Sequence, residues 1–170
     1  MGMYKNMQDI LKAVRFDEEL LRLLYYNPED YLSKTLDPLD ERLPNILDMD
    51  LGKQWEIRDE RIMITPKDDD LTNKRICRIF VYFGDRFPLP QKKSYLIASQ
   101  DIVVDVLCHA DFENKDIRST RIGDRLNQIF ALSDVTGMGK MEYVRGRVLT
   151  RTPSQYVGFQ HIYRFGSTKQ

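Results

Sequence analysis

Two histidines, two cysteines and a scatter of acids are the side chains in this chain that could carry proton, thiol or metal chemistry. His109 and His161 stand outside any His-x3-His or Cys-x2-Cys spacing, so neither belongs to a recognisable metal-ligand set. Cys108 and His109 are adjacent, and in a strand adjacent side chains point to opposite faces, which argues against one shared site. Asp101, Asp105 and the Glu113-Asn114-Lys115 triad faintly match the acid-then-acid-x-lysine arrangement of metal-dependent nucleases. The triad, however, falls where a loop or helix start is expected, not a strand. Asp68-Asp69-Asp70 lacks the glycine and downstream glutamate of a calcium loop and reads as a solvated turn. Gly137-Met138-Gly139-Lys140 resembles part of a phosphate loop but lacks the first glycine spacing and the Ser/Thr that would meet magnesium. The expectation is a chain with no catalytic residues, no metal and no cofactor, with a metal-dependent nuclease kept as an alternative.

Charge offers a second kind of chemistry. Lys plus Arg and Asp plus Glu number 26 each, so no global field draws the chain to nucleic acid or to an anionic membrane. Local basic faces remain: Arg118, Arg121 and Arg125 fall at helical spacing, and Lys140, Arg145, Arg147 and Arg151 cluster around an expected hairpin. They read either as a solvated face or as a positive rim that meets DNA or an acidic partner. No apolar run approaches the ~20 residues needed to cross a bilayer. The N-terminal MGMYKNMQDI has no apolar core of the signal-peptide kind. A cytoplasmic setting follows as an expectation, with Cys77 and Cys108 as reduced thiols serving the core.

The elements that must position these residues follow from periodicity. At 170 residues, 42% hydrophobic and 31% charged, the composition suits one soluble domain rather than a disordered chain. Residues 1–26 read as helical, with Asp17-Glu18-Glu19 opening a second segment after Phe16 and the end set by Pro28. Residues 27–59, with Pro28, Pro38, Pro44 and Gly52, read as a long irregular loop, the kind that is usually functional or mobile. Residues 60–167 read as a sheet with one helix at about 114–131. Short strands are expected at Arg61–Thr65 and Arg75–Phe83, with Gly84–Lys93 connecting to a long strand. The helix carries an apolar stripe of Ile117, Ile122, Leu126, Ile129 and Phe130. A hairpin turning at Arg145-Gly146 and a last strand over Tyr156–Phe165 close the chain. The fold class is α+β: a mostly antiparallel or mixed sheet with a long extended β-hairpin, covered by N-terminal and central helices.

The long strand raises its own question. From Tyr95 to His109 it would run about 50 Å, against about 40 Å for the whole width of a compact chain of this length. Its even positions, Leu96, Ala98, Ile102, Val104, Val106 and Cys108, are apolar except for Gln100. The half from Ile102 onward suits a core, whereas Tyr95, Leu96, Ile97 and Ala98 suit a contact with a neighbouring subunit that covers an exposed strand. The alternative is a bulge or bend at Ser99-Gln100 that makes two short strands.

The order of elements resembles the tail-terminator and head–tail joining family of long-tailed bacteriophages. The likeness rests on an N-terminal helix, a long irregular loop, the arm SYLIASQDIVVDVLCH, the helix DIRSTRIGDRLNQIF and the closing YVGFQHIYRFGS. It covers about Arg61 to Ser167, as architecture and spacing without a catalytic signature. The resemblance implies a structural virion protein forming a homohexameric ring that caps the tail tube and joins it to the head connector. It further implies a place at the head–tail interface of the virion, assembly in the host cytoplasm, and no membrane. Its partners would be the tail tube protein, head connector proteins and DNA passing through the lumen without sequence-specific binding. Lys140, Arg145, Arg147 and Arg151 would then line the lumen or a partner surface. A head-closure (stopper) ring protein is the near alternative, though its family implies a barrel-like core with less helix. A cytoplasmic binding module is the alternative of another class.

Overall fold

A computed structural model describes residues 2–88 and 98–166. Helices α1 (Met3–Arg15) and α2 (Glu18–Tyr25) form the N-terminal pair, and the Asp17 side chain between them accepts from the Leu20 N–H, an N-cap that starts α2. A 3-10 turn (Ile46–Asp48) precedes α3 (Leu51–Arg61), which leads directly into β1 (Ile62–Met63). After a second 3-10 turn (Asp69–Asn73) come β2 (Cys77–Pro88) and β3 (Ala98–His109). Then follow α4 (Ala110–Asp116), α5 (Arg118–Phe130), β4 (Glu142–Val148) and β5 (Tyr156–Gly166). The five strands form one open sheet in the order β1-β2-β3-β5-β4, parallel only between β1 and β2. This is the mixed, helix-covered α+β sheet that periodicity predicts, and it is not a closed barrel.

Period-two alternation sorts the strands into two faces. One face offers Cys77, Ile79 and Val81 from β2, Ile102, Val104, Val106 and Cys108 from β3, and Tyr163 and Phe165 from β5. The helices cover it with Ile10 and Val14 of α1, Leu20, Leu21 and Leu24 of α2, and Ile122, Leu126 and Phe130 of α5. Cys77 and Cys108, directly opposite one another in the register, are both buried free thiols on this face. Gly123 lets α5 lie close on β5, since a Cβ there would stand 2.9 Å from His161 Nε2. On the second face a smaller apolar group, Leu71, Ile76, Phe80, Leu107 and Tyr156, covers only the end of the sheet near Cys77 and His109.

Four expectations need correction. The stretch read as an irregular loop contains α3: LGKQWEIRDER buries the apolar Ile57 but fills its other buried positions with Arg58 (1% exposed) and Arg61 (8%), which hides the apolar period. The helix expected at about 114–131 is two helices, broken at Ile117, which takes the left-handed conformation (φ 53°, ψ 49°) and is 62% exposed instead of joining the apolar stripe. No turn occurs at Arg145-Gly146: β4 runs through it, with a register shift between Tyr143 and Arg145, and the chain reverses between Leu149 and Gln155. Gly146 is needed for that passage, because a Cβ would collide with Tyr143 Oη and stand 2.7 Å from the Phe159 ring. Finally, Gly84–Pro88 belongs to β2 and not to a connection.

The long strand is a single strand from Ala98 to His109, paired with β5 in unbroken register from Ser99↔Gly166 to His109↔Tyr156. The irregularity lies across from it, in β2 between Phe83 and Arg86. Gln100 holds that bulge by donating from Nε2 to the carbonyls of Gly84 (3.3 Å) and Asp85 (3.2 Å). Asp30–Thr35 aside, the segment from Asn27 to Pro44 lacks regular pairing yet is tied to the body. Arg22 donates to the carbonyls of Pro38 (3.3 Å), Asp40 (3.0 Å) and Leu43 (3.0 Å), and Arg121 grips Asp37 at 2.9 and 3.0 Å.

Candidate assembly interface

The helix-free half of the second sheet face gathers charged groups. The bulge residues Gly84 and Asp85, Asp101 and Val103 of β3, Val144, Arg145 and Arg147 of β4, and Gln160, Ile162 and Arg164 of β5 line one open groove. Alternation places them together: Asp101 is opposite Arg164, Val103 opposite Ile162, and Asp105 opposite Gln160. Arg164 holds Asp101 through both oxygens (2.7 and 3.1 Å), and its guanidinium stacks 4.7 Å from the Phe87 ring centroid. Buried Asp105 accepts from Tyr82 Oη (2.7 Å) and Gln160 Nε2 (2.8 Å), and Gln160 in turn accepts from Arg147 Nε (2.8 Å). Burial first, then the Asp105 carboxylate beside it, pushes the Tyr82 phenol well above its ordinary range, so it stays a donor.

The expected basic rim divides here. Arg145 and Arg147 reach the groove, while Lys140 precedes β4 and Arg151 follows it, so these two sit beyond opposite ends of the strand. All four are exposed. Among the described residues Arg145 and Arg147 form no ion pair, and Asp85 is likewise without one. Every residue of β4 is exposed, and among the described residues β5 is its only strand neighbour, so no described strand covers its outer backbone edge. At the opposite margin β1 pairs with β2 only at Ile79 and Phe80, which leaves β2 from Gly84 to Pro88 without a strand on its outer side among the described residues. The sequence signal for Gln160, Ile162 and Arg164 was present as the even face of the last strand; nothing pointed to Asp85 or Tyr82.

The expected subunit contact falls mostly outside the described residues, where Tyr95, Leu96 and Ile97 lie. Ala98 begins β3 opposite Pro88 and is buried. The acids that faintly matched a nuclease have separate local partners. Glu113 accepts from the Ser119 N–H (2.8 Å) and hydroxyl (2.7 Å) at the start of α5, and Lys115 reaches Asp30 at 3.3 Å. His109 caps α4, its Nδ1 accepting from the Asp111 N–H at 3.1 Å. His161 lies under α5 with its Nδ1 3.1 Å from Tyr143 Oη, and burial holds its pKa below the usual imidazole value. Among the described residues no group of three or more His, Cys, Asp or Glu side chains is placed to hold a metal ion. No helix among them is long and apolar enough to cross a membrane.

Two comparisons bear on this geometry. A model of the YomW family matches residues 17–165, from the cap of α2 to Phe165 in β5. The SPbeta prophage-derived protein YomW of Bacillus subtilis (strain 168) is 30% identical over 171 residues, covering 97% of each chain.

Proposed function

The chain belongs to the YomW family, and from that premise we propose that it is a non-enzymatic structural protein of a tailed bacteriophage virion, a tail terminator that closes the tail tube and joins it to the head connector. The observation that carries this reading is a sheet that, among the described residues, is open at both outer margins, along all of β4 and along Gly84–Pro88 of β2. Two different open margins on one chain suit a head-to-tail contact, and such a contact builds a ring when its rotation closes. The prophage origin of the relative supplies the phage setting. On this reading the ring is a homohexamer, and Tyr95, Leu96, Ile97 and Ala98 contribute to its seam. Arg145 and Arg147, with Lys140 and Arg151 beyond the strand ends, provide local positive charge toward DNA or a partner in a chain of zero net charge. The phage tail tube and head connector are the partners, DNA passes without sequence-specific contact, and assembly takes place in the host cytoplasm.

A head-closure ring is the second reading, and the open, helix-covered sheet favours the terminator, because a barrel-like core is what the head-closure reading implies. The test is joining in vitro: tails lacking this protein are mixed with filled heads, with and without the purified chain. Joining that depends on the chain, after preincubation with tails rather than with heads, supports the terminator. Dependence on preincubation with heads supports head closure, and no dependence at all removes both.

A further inference from the structure

We infer that neighbouring copies of this chain join by sheet extension, β4 of one copy pairing antiparallel with the bulged half of β2, Gly84–Pro88, of the next. The inference rests on the ring reading and names the surfaces that make the ring.

Strand directions come first. β2 and β5 each run antiparallel to β3, and β4 runs antiparallel to β5. β4 therefore runs opposite to β2. A copy set beside another in the same orientation brings β4 against the next copy's β2 as an antiparallel pair, which continues the sheet across the seam. An open strand edge is a row of unpaired backbone donors and acceptors that recruits another chain unless it is blunted. Glu142–Val148 carries no proline and is exposed throughout; its register shift between Tyr143 and Arg145 and its charges at Glu142, Arg145 and Arg147 blunt it against an indiscriminate strand and leave it to an edge of complementary charge. The two-residue β1 pairs with β2 only at Ile79 and Phe80, so among the described residues no strand covers the outer side of Gly84–Pro88.

Charge picks the occupant. On the second face β4 presents Arg145 and Arg147, neither of them paired with a carboxylate among the described residues, and Glu142 opposite Arg164 at its start, which leaves the edge net positive. The β2 margin presents Asp85 on the same face, exposed and in no ion pair among the described residues, with Arg164 of β5 acting on it only through space. Phe87, about half exposed on that margin, supplies an apolar surface for Val144. Basic edge and acidic edge thus lie on opposite margins of one sheet. That arrangement fits a second copy of this chain in a head-to-tail contact and disfavours a two-fold one, in which β4 would meet β4 and arginine would face arginine.

The experiment uses two full-length variants, Arg145→Glu/Arg147→Glu and Asp85→Arg, with circular dichroism to confirm that each is folded. The first has two acidic margins, the second two basic ones. Sedimentation velocity should show each variant alone dissociated at concentrations where the wild type is fully assembled, a shift of at least about tenfold in the assembly midpoint. An equimolar mixture should regain the wild-type size as an alternating ring, a result that misfolded variants could not give. Arg145→Glu alone leaves the Arg147–Gln160 bond in place and should shift assembly the same way. If each variant alone assembles like the wild type, or if the mixture stays dissociated, the sheet-edge contact is wrong while the ring reading stands. A wild type that never assembles, alone or beside tails, overturns both.

Discussion

At the scale of single residues, the chain stands out for arginines used as internal fasteners. Arg118 is fully buried; it holds Asp116 through several charge-assisted bonds and donates to the carbonyls of Leu23 (2.6 Å) and Tyr26 (2.8 Å). It therefore satisfies the end of α2 and orients α5 at once. Arg118→Ala would leave the Leu23 and Tyr26 carbonyls without this donor and Asp116 with only Arg121 (3.3 Å), and chemical denaturation should record a loss of about 1–3 kcal/mol. Arg58 does related work without an acid. Its Nε donates to the Arg15 carbonyl (2.8 Å) while its guanidinium lies 4.3 Å from the Phe16 ring centroid and 4.9 Å from that of Trp55. Such arginines cannot be told from surface arginines by residue type, which is why α3 was illegible in the sequence. Protonation adds a second prediction. Burial lowers the His161 pKa below its ordinary 6.5, and the nearby Asp124 carboxylate only partly offsets this. The unfolded chain then takes up a proton before the folded one does, so stability is highest above pH 6.5 and falls as pH drops through that value. His161→Gln should flatten the urea midpoint between pH 7 and pH 5. Asp70, held well below the usual carboxylate range chiefly by its hydrogen bonds from Arg78, acts in a separate window, its contribution being lost only below about pH 4.

Whole elements were legible where a single period ruled. The break at Phe16, the apolar stripe of α5 from Ile122 to Phe130 and the core face of β3 all follow from spacing, because there the buried positions are apolar and the Asp17 cap is local. Breaks that depend on tertiary contacts were not legible. Ile117 would extend the α5 stripe by spacing, but the Lys115–Asp30 pair and Arg118 draw α4 and α5 toward the α2 end, and the chain bends at Ile117 instead. A β-branched residue at positive φ is strained, by about 1–2 kcal/mol in the left-handed region. The Ile117 side chain is mostly exposed and buries little in return. Ile117→Gly should therefore raise the urea midpoint by the equivalent of about 0.5–1 kcal/mol after the entropic cost of glycine is counted. A decrease would mean that the Ile117 side chain packs more than its exposure indicates. The β4 passage through Arg145-Gly146 misled for the opposite reason: an Arg-Gly pair is a turn signal, but here the glycine clears room for Phe159 and Tyr143 within a strand.

For the whole molecule, the sequence made an α+β sheet covered by helices readable, since that follows from counting apolar faces. It could not show which margins of the sheet stay open, because strand order is set by long-range pairing that no local pattern records. Nor could it separate Arg145 and Arg147, which share the groove, from Lys140 and Arg151, which sit beyond the strand ends. As proposed above, this YomW-family chain works as a ring of identical copies at the end of a phage tail. The most direct measurement is its native mass, by sedimentation or native mass spectrometry, free and after binding to purified tails released by mild denaturant. A closed oligomer of six copies is expected on the tail, with the free chain reaching the same size as its concentration rises. A chain that stays at the 20.1 kDa of a single copy in both conditions and leaves the tails unbound would contradict it.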